Sequence, residues 1–283
     1  MDLVEKIKIL QNHLNARNFK KVIEGSKVIL NKVPNNDYLL NITGMAYQGL
    51  SQHDNSIKCF NRALKHSPNN LAAMNNLANS LKAIGKLEDS KDLYENILKI
   101  NPNYFNAYNN YANLKTLVND YDGAIQLYKK AYSIIEKIDN VPKSSLAGIL
   151  FSLAAAYQSA NKIEETQKTI KRILTIDPSH VGAHKLIGSL IKYSNDNEES
   201  MKHIKDMEEV DKKINNQDLH KKVDISYALG KSYEDLKNYE KAFHYLSKAN
   251  QLKFDKKGSN LEAEKKAIRN IIKIFKGIDL NNS

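Results

Sequence analysis

Residues 38–70 read YLLNITGMAYQGLSQHDNSIKCFNRALKHSPNN and contain two amphipathic helical patterns that end at a proline. Pro34, Pro68 and Pro102 lie 34 residues apart, and Pro178 follows 76 residues later, which is two periods plus eight residues. A constant spacing of this size indicates a repeated structural unit. Because proline lacks an amide hydrogen and restricts the residue before it, each of these prolines predicts the end of a helix.

With the proline at position 32, seven units start at residues 3, 37, 71, 105, 147, 181 and 223. Position 8 is small in six of them: Gly44, Ala78, Ala112, Ala154, Gly188 and Gly230. Large apolar residues recur at positions 4, 7 and 11, and a second apolar stripe recurs at positions 20, 24 and 27. Each stripe lies on one face of a helix. Each unit is therefore predicted to be a helical hairpin that buries its apolar face against its neighbours.

Two insertions interrupt the period, near residues 139–146 and 215–222. We expect the first insertion to lengthen the second helix of its unit as far as Pro142. The repeats span residues 3–258. The apolar face of residues 259–277 predicts a terminal helix that caps the last hairpin or connects it to a further segment.

The spacing and its small and large positions resemble the tetratricopeptide repeat (TPR), and residues 38–70 and 225–252 are the strongest single matches. The resemblance implies an all-α fold, a right-handed solenoid of about seven helical hairpins plus a C-terminal helix. It also implies a protein–protein interaction scaffold in which the first helices of the units line a concave groove.

Positions 2, 6, 9 and 13 of each first helix lie opposite its apolar stripe and would line that groove. NNLAN at residues 75–79 and NNYAN at residues 109–113 place paired amides on this side in consecutive units. An asparagine amide both donates and accepts hydrogen bonds, so it can bind a peptide backbone of any sequence. The predicted peptide-binding residues are Asn75, Asn76, Asn79, Asn109, Asn110 and Asn113, beside an apolar patch of Tyr38, Ile42 and Met45.

This row of asparagines resembles the groove of O-GlcNAc transferase, where asparagines hold extended substrate chains. A competing interpretation is that the asparagines are solvated polar residues, since the chain contains 34 of them.

The net charge of +11 raises the question of a nucleic-acid partner. Only Lys231 is basic among the 24 predicted groove residues of the second to seventh units. Because a nucleic-acid groove needs a basic lining, we expect a protein or peptide partner and no nucleic acid there. Polyanion binding by a lysine-rich convex face is an alternative.

No residue pattern predicts catalysis, a metal site or a cofactor, so we expect this chain not to be an enzyme. His180 and His184 have the spacing of metal ligands but lack an evident third ligand, so we interpret them as a surface pair. The single cysteine, Cys59, excludes an internal disulfide. Together with the absence of an apolar run long enough to span a bilayer, this predicts a cytoplasmic protein without a membrane partner. The sequence does not predict the oligomeric state.

The last third resembles a narrower family. HIKDMEEV at residues 203–210, the repeat at residues 224–253 and IIKIFKG at residues 271–277 resemble the end of the repeat region in bacterial TPR sulfotransferases. In that family a catalytic domain follows, and no match to its nucleotide-binding turn is present in these 283 residues. The resemblance implies, as an alternative function, a non-catalytic arm that recognises the substrate of a sulfotransferase.

Overall fold

The computed structural model describes residues 2–215 and 218–256. Within these ranges the chain forms fourteen helices and no strand, so the predicted all-α class is confirmed. The helices are α1 (Leu3–Asn15), α2 (Phe19–Leu30), α3 (Asp37–Gly49), α4 (His53–His66), α5 (Leu71–Ala83), α6 (Leu87–Ile100), α7 (Phe105–Leu117), α8 (Tyr121–Ile135), α9 (Lys143–Ser159), α10 (Ile163–Ile176), α11 (Val181–Leu190), α12 (Glu198–Lys213), α13 (Leu219–Asp235) and α14 (Tyr239–Lys256). The terminal helix predicted at residues 259–277 lies outside the described residues.

The prolines and the residues that follow them explain where the helices end and begin. α4 ends at His66, just before Pro68. Two residues after that proline, the Asn70 side chain accepts a hydrogen bond from the Ala73 amide at 3.1 Å and caps α5. Asn36 caps α3 in the same way, two residues after Pro34. An N-terminal cap of this kind satisfies one of the free amides at the start of a helix, so some of the many asparagines have a structural role.

The prediction that the first insertion lengthens a second helix as far as Pro142 is wrong. α8 ends at Ile135, and Pro142 stands immediately before α9. This helix begins at Lys143, four residues before the predicted start of the repeat at residue 147. Proline is tolerated at the start of a helix because the first amides have no partner within the helix. The second insertion likewise lengthens the following first helix, since α13 begins at Leu219, before the predicted start of the repeat at residue 223.

The turn inside six of the seven hairpins uses one left-handed residue at position 15. These residues are Arg17, Ser51, Gly85, Asn119, Asn161 and Lys237, with φ between 57° and 81°. The sixth unit differs, because α11 ends at Leu190 and α12 begins only at Glu198. Tyr193, at position 13 of this repeat, therefore lies outside α11.

Position 8 is small because the second helix of the same unit packs directly on it. A Cβ atom on Gly44 would lie 2.4 Å from the ring of Phe60, which is fully buried at position 24 of the same unit. A Cβ atom on Gly230 would lie 2.7 Å from Leu246 in the last hairpin. The two helices of these hairpins therefore approach each other at the position that the repeat pattern marks.

The helices divide into two compact parts, each larger than a single repeat. We call Met1–Thr169 the first unit and the part that begins at Ile170 the second unit. The boundary lies inside α10. The repeat period predicted one array over residues 3–258. In the first unit α3 contacts α5 and α5 contacts α7, so successive first helices are neighbours. Among the described helices, none combines the length and apolarity needed to span a bilayer.

Candidate functional site: an asparagine face on the first unit

The outer sides of α5 and α7 carry the four central asparagines of the predicted site. Asn76, Asn79, Asn110 and Asn113 are all partly buried, at positions 6 and 9 of their units. Positions 2 and 13 of the same helices are exposed and are occupied by Ala72, Ala83, Asn106 and Leu117. We call the surface formed by the four asparagines the amide face. Because α5 contacts α7, the amide face is one continuous surface.

The apolar patch predicted beside the asparagines is smaller than expected. Ile42 is only 1% exposed and packs in a core cluster with Leu14 and Val22, so it cannot contact a ligand in this structure. The reason is that the first hairpin, α1 and α2, packs on α3 and covers this position. Tyr38 remains 50% exposed, and Met45 is partly buried.

One set of hydrogen bonds joins asparagines of successive units. Asn76 Nδ2 donates to Asn41 Oδ1 at 3.1 Å, and Asn110 Nδ2 donates to Asn75 Oδ1 at 3.0 Å. Both pairs are separated by 35 residues, so position 6 of one unit donates to position 5 of the unit before it. Asn75 is 7% exposed. It therefore supports Asn110 and is not itself a surface residue.

A second set of hydrogen bonds joins asparagines to buried tyrosines of the same hairpin. Tyr94 OH donates to Asn79 Oδ1 at 2.7 Å, and Tyr128 OH donates to Asn113 Oδ1 at 2.6 Å. Burial raises the pKa of both phenols, so each hydroxyl keeps its proton.

The sequence contained a signal for these tyrosine–asparagine pairs. The tyrosines stand at position 24 and the asparagines at position 9, and in the unit that begins at residue 37 the same two positions hold Phe60 and Met45. Where position 24 is a tyrosine, position 9 is therefore an asparagine that can accept its proton, and where position 24 is a phenylalanine, position 9 is an apolar methionine.

Asn109 ends the row of asparagines. Its side chain makes no hydrogen bond within residues 2–215 and 218–256, and it is partly buried. In the next unit the residue at position 6 is Ser152, which donates instead to Gly148 O of its own helix at 3.2 Å. The interaction between units that links Asn75 to Asn110 is therefore not repeated at Asn109.

Two further polar residues near the amide face were not singled out from the sequence. Gln48 Nε2 donates to Asn76 O and to Ser80 Oγ, both at 2.8 Å, and so ties α3 to α5. Lys82 lies one turn after Asn79, and burial lowers the pKa of its ammonium group. Both residues stand at position 12, which lies outside the stripe of positions 2, 6, 9 and 13 predicted to line the groove.

In the second unit two sequence-based placements are wrong. Tyr193, assigned to the groove side of its helix, is 2% exposed, because α11 ends three residues before it. His184, interpreted as part of a surface pair, is 1% exposed. His203 Nε2 lies 2.8 Å from His184 Nδ1, and Tyr193 OH lies 2.7 Å from His203 Nδ1. His180 instead caps α11 through its Nδ1 atom.

The described part of the second unit offers neither an unpaired charge at Lys231 nor a cluster of metal ligands. Lys231 Nζ is 2.6 Å from Asp235 Oδ2 and 3.0 Å from Ile191 O, so its charge is paired. In the part of the chain that the structure describes, no three His, Cys, Asp or Glu side chains are grouped so that they could hold a metal ion.

Comparison with known proteins identifies the repeat. Residues 5–137 match the model for the Psidin N-terminal TPR repeats region, and residues 223–256 match a tetratricopeptide repeat model. The two matched segments are tetratricopeptide repeats. No curated protein sequence matches it significantly.

Solved structures share this TPR fold at low sequence identity. A tetratricopeptide repeat protein from Parabacteroides merdae is 17% identical, with a TM-score of 0.57 over 94% of this chain and 96% of that one. Pseudomonas aeruginosa PilF is 16% identical, with a TM-score of 0.59 over 82% of this chain and 96% of that one. YrrB, described as a TPR protein with an unusual peptide-binding site, is 19% identical, with a TM-score of 0.50 over 69% of this chain and 93% of that one. At these identities the likeness concerns the fold.

Proposed function

We propose that this TPR protein is an interaction scaffold that binds an extended peptide segment of a partner on the amide face of its first unit. The observation that carries the proposal is that four partly buried amides in two adjacent helices each use only part of their hydrogen-bonding capacity internally. An asparagine side chain has two donor hydrogens and two acceptor lone pairs. The unused groups are available to the N–H and C=O groups of a peptide.

The binding free energy of four hydrogen bonds is too small for micromolar affinity, so further contacts are needed. A hydrogen bond contributes about 0.5–1.5 kcal/mol net, so four of them supply about 2–6 kcal/mol, whereas a dissociation constant of about 1 μM corresponds to about 8 kcal/mol. Exposed apolar residues near the amide face can supply the remainder. Tyr38 on α3 and Leu117 on α7 are 50% and 58% exposed. The partner is therefore a peptide with apolar side chains as well as an accessible backbone.

Two similarities support this function. TPR proteins typically act as protein-binding scaffolds, and YrrB is described as having an unusual peptide-binding site. The partner of this chain is an extended segment and not a folded domain, because the amide face offers backbone-directed groups in a row along successive helices.

The test starts from a random library of 12-residue peptides displayed on phage and selected on the full chain. Affinities of selected peptides are then measured by fluorescence anisotropy for the wild type and for the variant Asn76→Ala/Asn79→Ala/Asn110→Ala/Asn113→Ala. We expect the variant to lose at least tenfold in affinity.

The matched control for this test is Asn61→Ala/Asn96→Ala, which removes two exposed asparagines from α4 and α6 and should bind as the wild type does. Failure to select any peptide, or equal affinity of the quadruple variant and the wild type, would contradict the proposal. Thermal unfolding of all proteins checks that an affinity loss is not a folding defect.

Two alternatives make different predictions. The sulfotransferase-arm hypothesis rests on the resemblance of residues 203–277, and it predicts that the coding sequence continues past Ser283 into a nucleotide-binding domain. The polyanion hypothesis predicts a steep loss of heparin binding between about 50 and 200 mM salt. Ion pairs such as Lys162–Asp122 and Lys171–Glu199 already neutralise part of the lysine-rich surface, which favours the peptide hypothesis.

A further inference from the structure

The internal hydrogen bonds of the amide face determine which half of each asparagine points away from its partner. Asn79 and Asn113 accept a tyrosine proton on Oδ1, so their Nδ2 groups are left without a partner among the described residues. Asn76 and Asn110 donate through Nδ2 to the preceding repeat. Their Oδ1 atoms are therefore the groups without a partner among the described residues. An asparagine whose Oδ1 accepts the proton of a buried tyrosine cannot rotate its amide by 180° without losing that bond, and Asn76 and Asn110 present Oδ1 as long as Asn41 and Asn75 accept from their Nδ2 groups.

The bonds that hold these amides are well protected. Tyr94 is fully buried and Tyr128 is 2% exposed, and burial favours the protonated phenol in both. A buried phenol needs an acceptor for its proton, and rotation of Asn79 would place an N–H group where that acceptor now stands. A buried polar group that loses its partner destabilises the fold, so the present orientation is favoured.

We infer that the amide face has a fixed polarity, in which Asn76 and Asn110 accept a peptide N–H group while Asn79 and Asn113 donate to a peptide carbonyl, with Tyr94 and Tyr128 as positioning residues. This inference rests on the proposed function and specifies its ligand. Each of the two repeats offers one acceptor and, three residues later on the same helix, one donor. The ligand is a polypeptide in extended conformation that presents one N–H group and one carbonyl to each unit.

The spacing of the units fits such a ligand. Packed helices lie about 8–10 Å apart, and three residues of a polyproline II helix advance about 9 Å. The same two backbone groups therefore return at each unit after about three residues of ligand. Side chains at the other positions of the ligand remain free to make apolar contacts.

Asparagine-to-aspartate changes test the polarity, because a carboxylate accepts hydrogen bonds but cannot donate them. In Asn79→Asp/Asn113→Asp the carboxylates still accept the tyrosine protons, but the groups facing the ligand change from donors to acceptors. We expect at least a tenfold loss of affinity for the selected peptides, with little change in melting temperature.

The matched control is Asn76→Asp/Asn110→Asp, which adds the same charge to the same face. Here the acceptors facing the ligand are kept, and the donors to Asn41 and Asn75 are lost. We expect a lower melting temperature and an affinity loss at least threefold smaller than that of Asn79→Asp/Asn113→Asp.

A second variant removes one donor of the amide face without the loss of stability that an unpaired buried hydroxyl would cause. Tyr94→Phe/Asn79→Met copies the apolar pair that Phe60 and Met45 form at the same positions of the unit that begins at residue 37. It removes the donor and its support together without leaving a buried polar group unpaired. We expect the melting temperature to stay within a few degrees of the wild-type value while affinity for the selected peptides falls at least threefold.

The outcomes separate the two proposals. If the quadruple alanine variant loses affinity but the two double aspartate variants lose equal amounts, the amide face binds peptide without fixed polarity and the inference is overturned. If Tyr94→Phe/Asn79→Met binds as tightly as the wild type, the role of Asn79 as a donor to the ligand is overturned, and with it the positioning role of Tyr94. If no peptide is selected at all, the failure lies with the proposed function.

Discussion

The two units use the same helical repeat to place polar side chains at different depths. In the first unit, Asn79 and Asn113 each make one internal hydrogen bond and lie partly exposed. In the second unit, His184, His203 and Tyr193 form a chain of hydrogen bonds that ends on the backbone carbonyl of Pro178. Spare hydrogen-bonding capacity at a surface allows ligand binding, whereas a saturated interior network contributes to stability.

The Pro178 carbonyl fixes the direction of the network in the second unit. A carbonyl oxygen can only accept, so His184 Nε2, at 2.8 Å, is the donor. In the neutral ring His184 Nδ1 is then the acceptor for His203 Nε2–H. His203 Nδ1 in turn accepts from the Tyr193 hydroxyl. With all three groups neutral, each ring nitrogen and the hydroxyl proton has a partner, and an added proton disrupts the arrangement.

Acidification should produce the largest difference between the two units. Burial lowers the pKa of His184, and burial followed by the neighbouring His184 lowers the pKa of His203 to about 4. An unfolded histidine titrates near 6.5, so between about pH 6.5 and 4 the unfolded chain binds protons that the folded chain does not. The free energy of unfolding therefore falls as the pH falls, by on the order of 3 kcal/mol for His203 at the lower end.

Hydrogen exchange of α11 and α12 amides at pH 7.0, 5.5 and 4.5, compared with that of α5, measures this effect. Three other charged groups act on His184: Asp206 and Asp177 favour its protonation, and His180 opposes it. In His203→Gln the pH dependence of the second unit should become shallower, and His66→Gln, on an exposed position of α4, is the control. An unchanged slope in His203→Gln would remove His203 as the cause.

Glycine substitutions test the feature that both units share, namely close approach at position 8. Gly44→Ala places a methyl group against the buried Phe60 ring and should cost about 1–3 kcal/mol. Gly230→Ala should cost less, because it meets the flexible side chain of Leu246. Gly148→Ala meets no atom within 4 Å and should stabilise α9 by up to about 1 kcal/mol. Thermal unfolding gives the order, and a neutral Gly44→Ala would contradict the packing described here.

Removal of a tyrosine hydroxyl gives the smallest and most direct comparison. Tyr193→Phe leaves His203 Nδ1 without its donor in the interior and should cost about 1–3 kcal/mol. Tyr94→Phe frees the oxygen of Asn79, which water can reach because Asn79 is partly exposed, and should cost about 0.5–1.5 kcal/mol. Urea unfolding at pH 7 measures both. A larger loss in Tyr94→Phe than in Tyr193→Phe would reverse the contrast between the two units.

Much of the fold could be predicted because its signals are local and repeated. The proline spacing, the small residue at position 8 and the apolar stripes are each determined by a helix or by contact with the neighbouring helix. Errors occurred where the period was interrupted. Pro142 was interpreted as the end of a helix, but it precedes one. Tyr193 was assigned to a helix that ends before reaching it.

The candidate site was only partly predictable. Sequence phase placed Asn76, Asn79, Asn110 and Asn113 on one side of their helices, and the structure keeps them on a shared surface. The helical period of α3 could not reveal that Ile42 is covered, because the covering residues belong to another hairpin.

The sequence by itself determined the repeat, its helical hairpins and the side of each helix on which the asparagines lie, because these follow from the 3.6-residue period and from contacts between neighbouring segments. Only the tertiary structure decided which asparagines are buried, which half of each amide is occupied and which histidines meet. Those properties depend on distances between residues 15 to 35 positions apart, and a hydrogen bond depends on distance and direction more precisely than a helical period can specify.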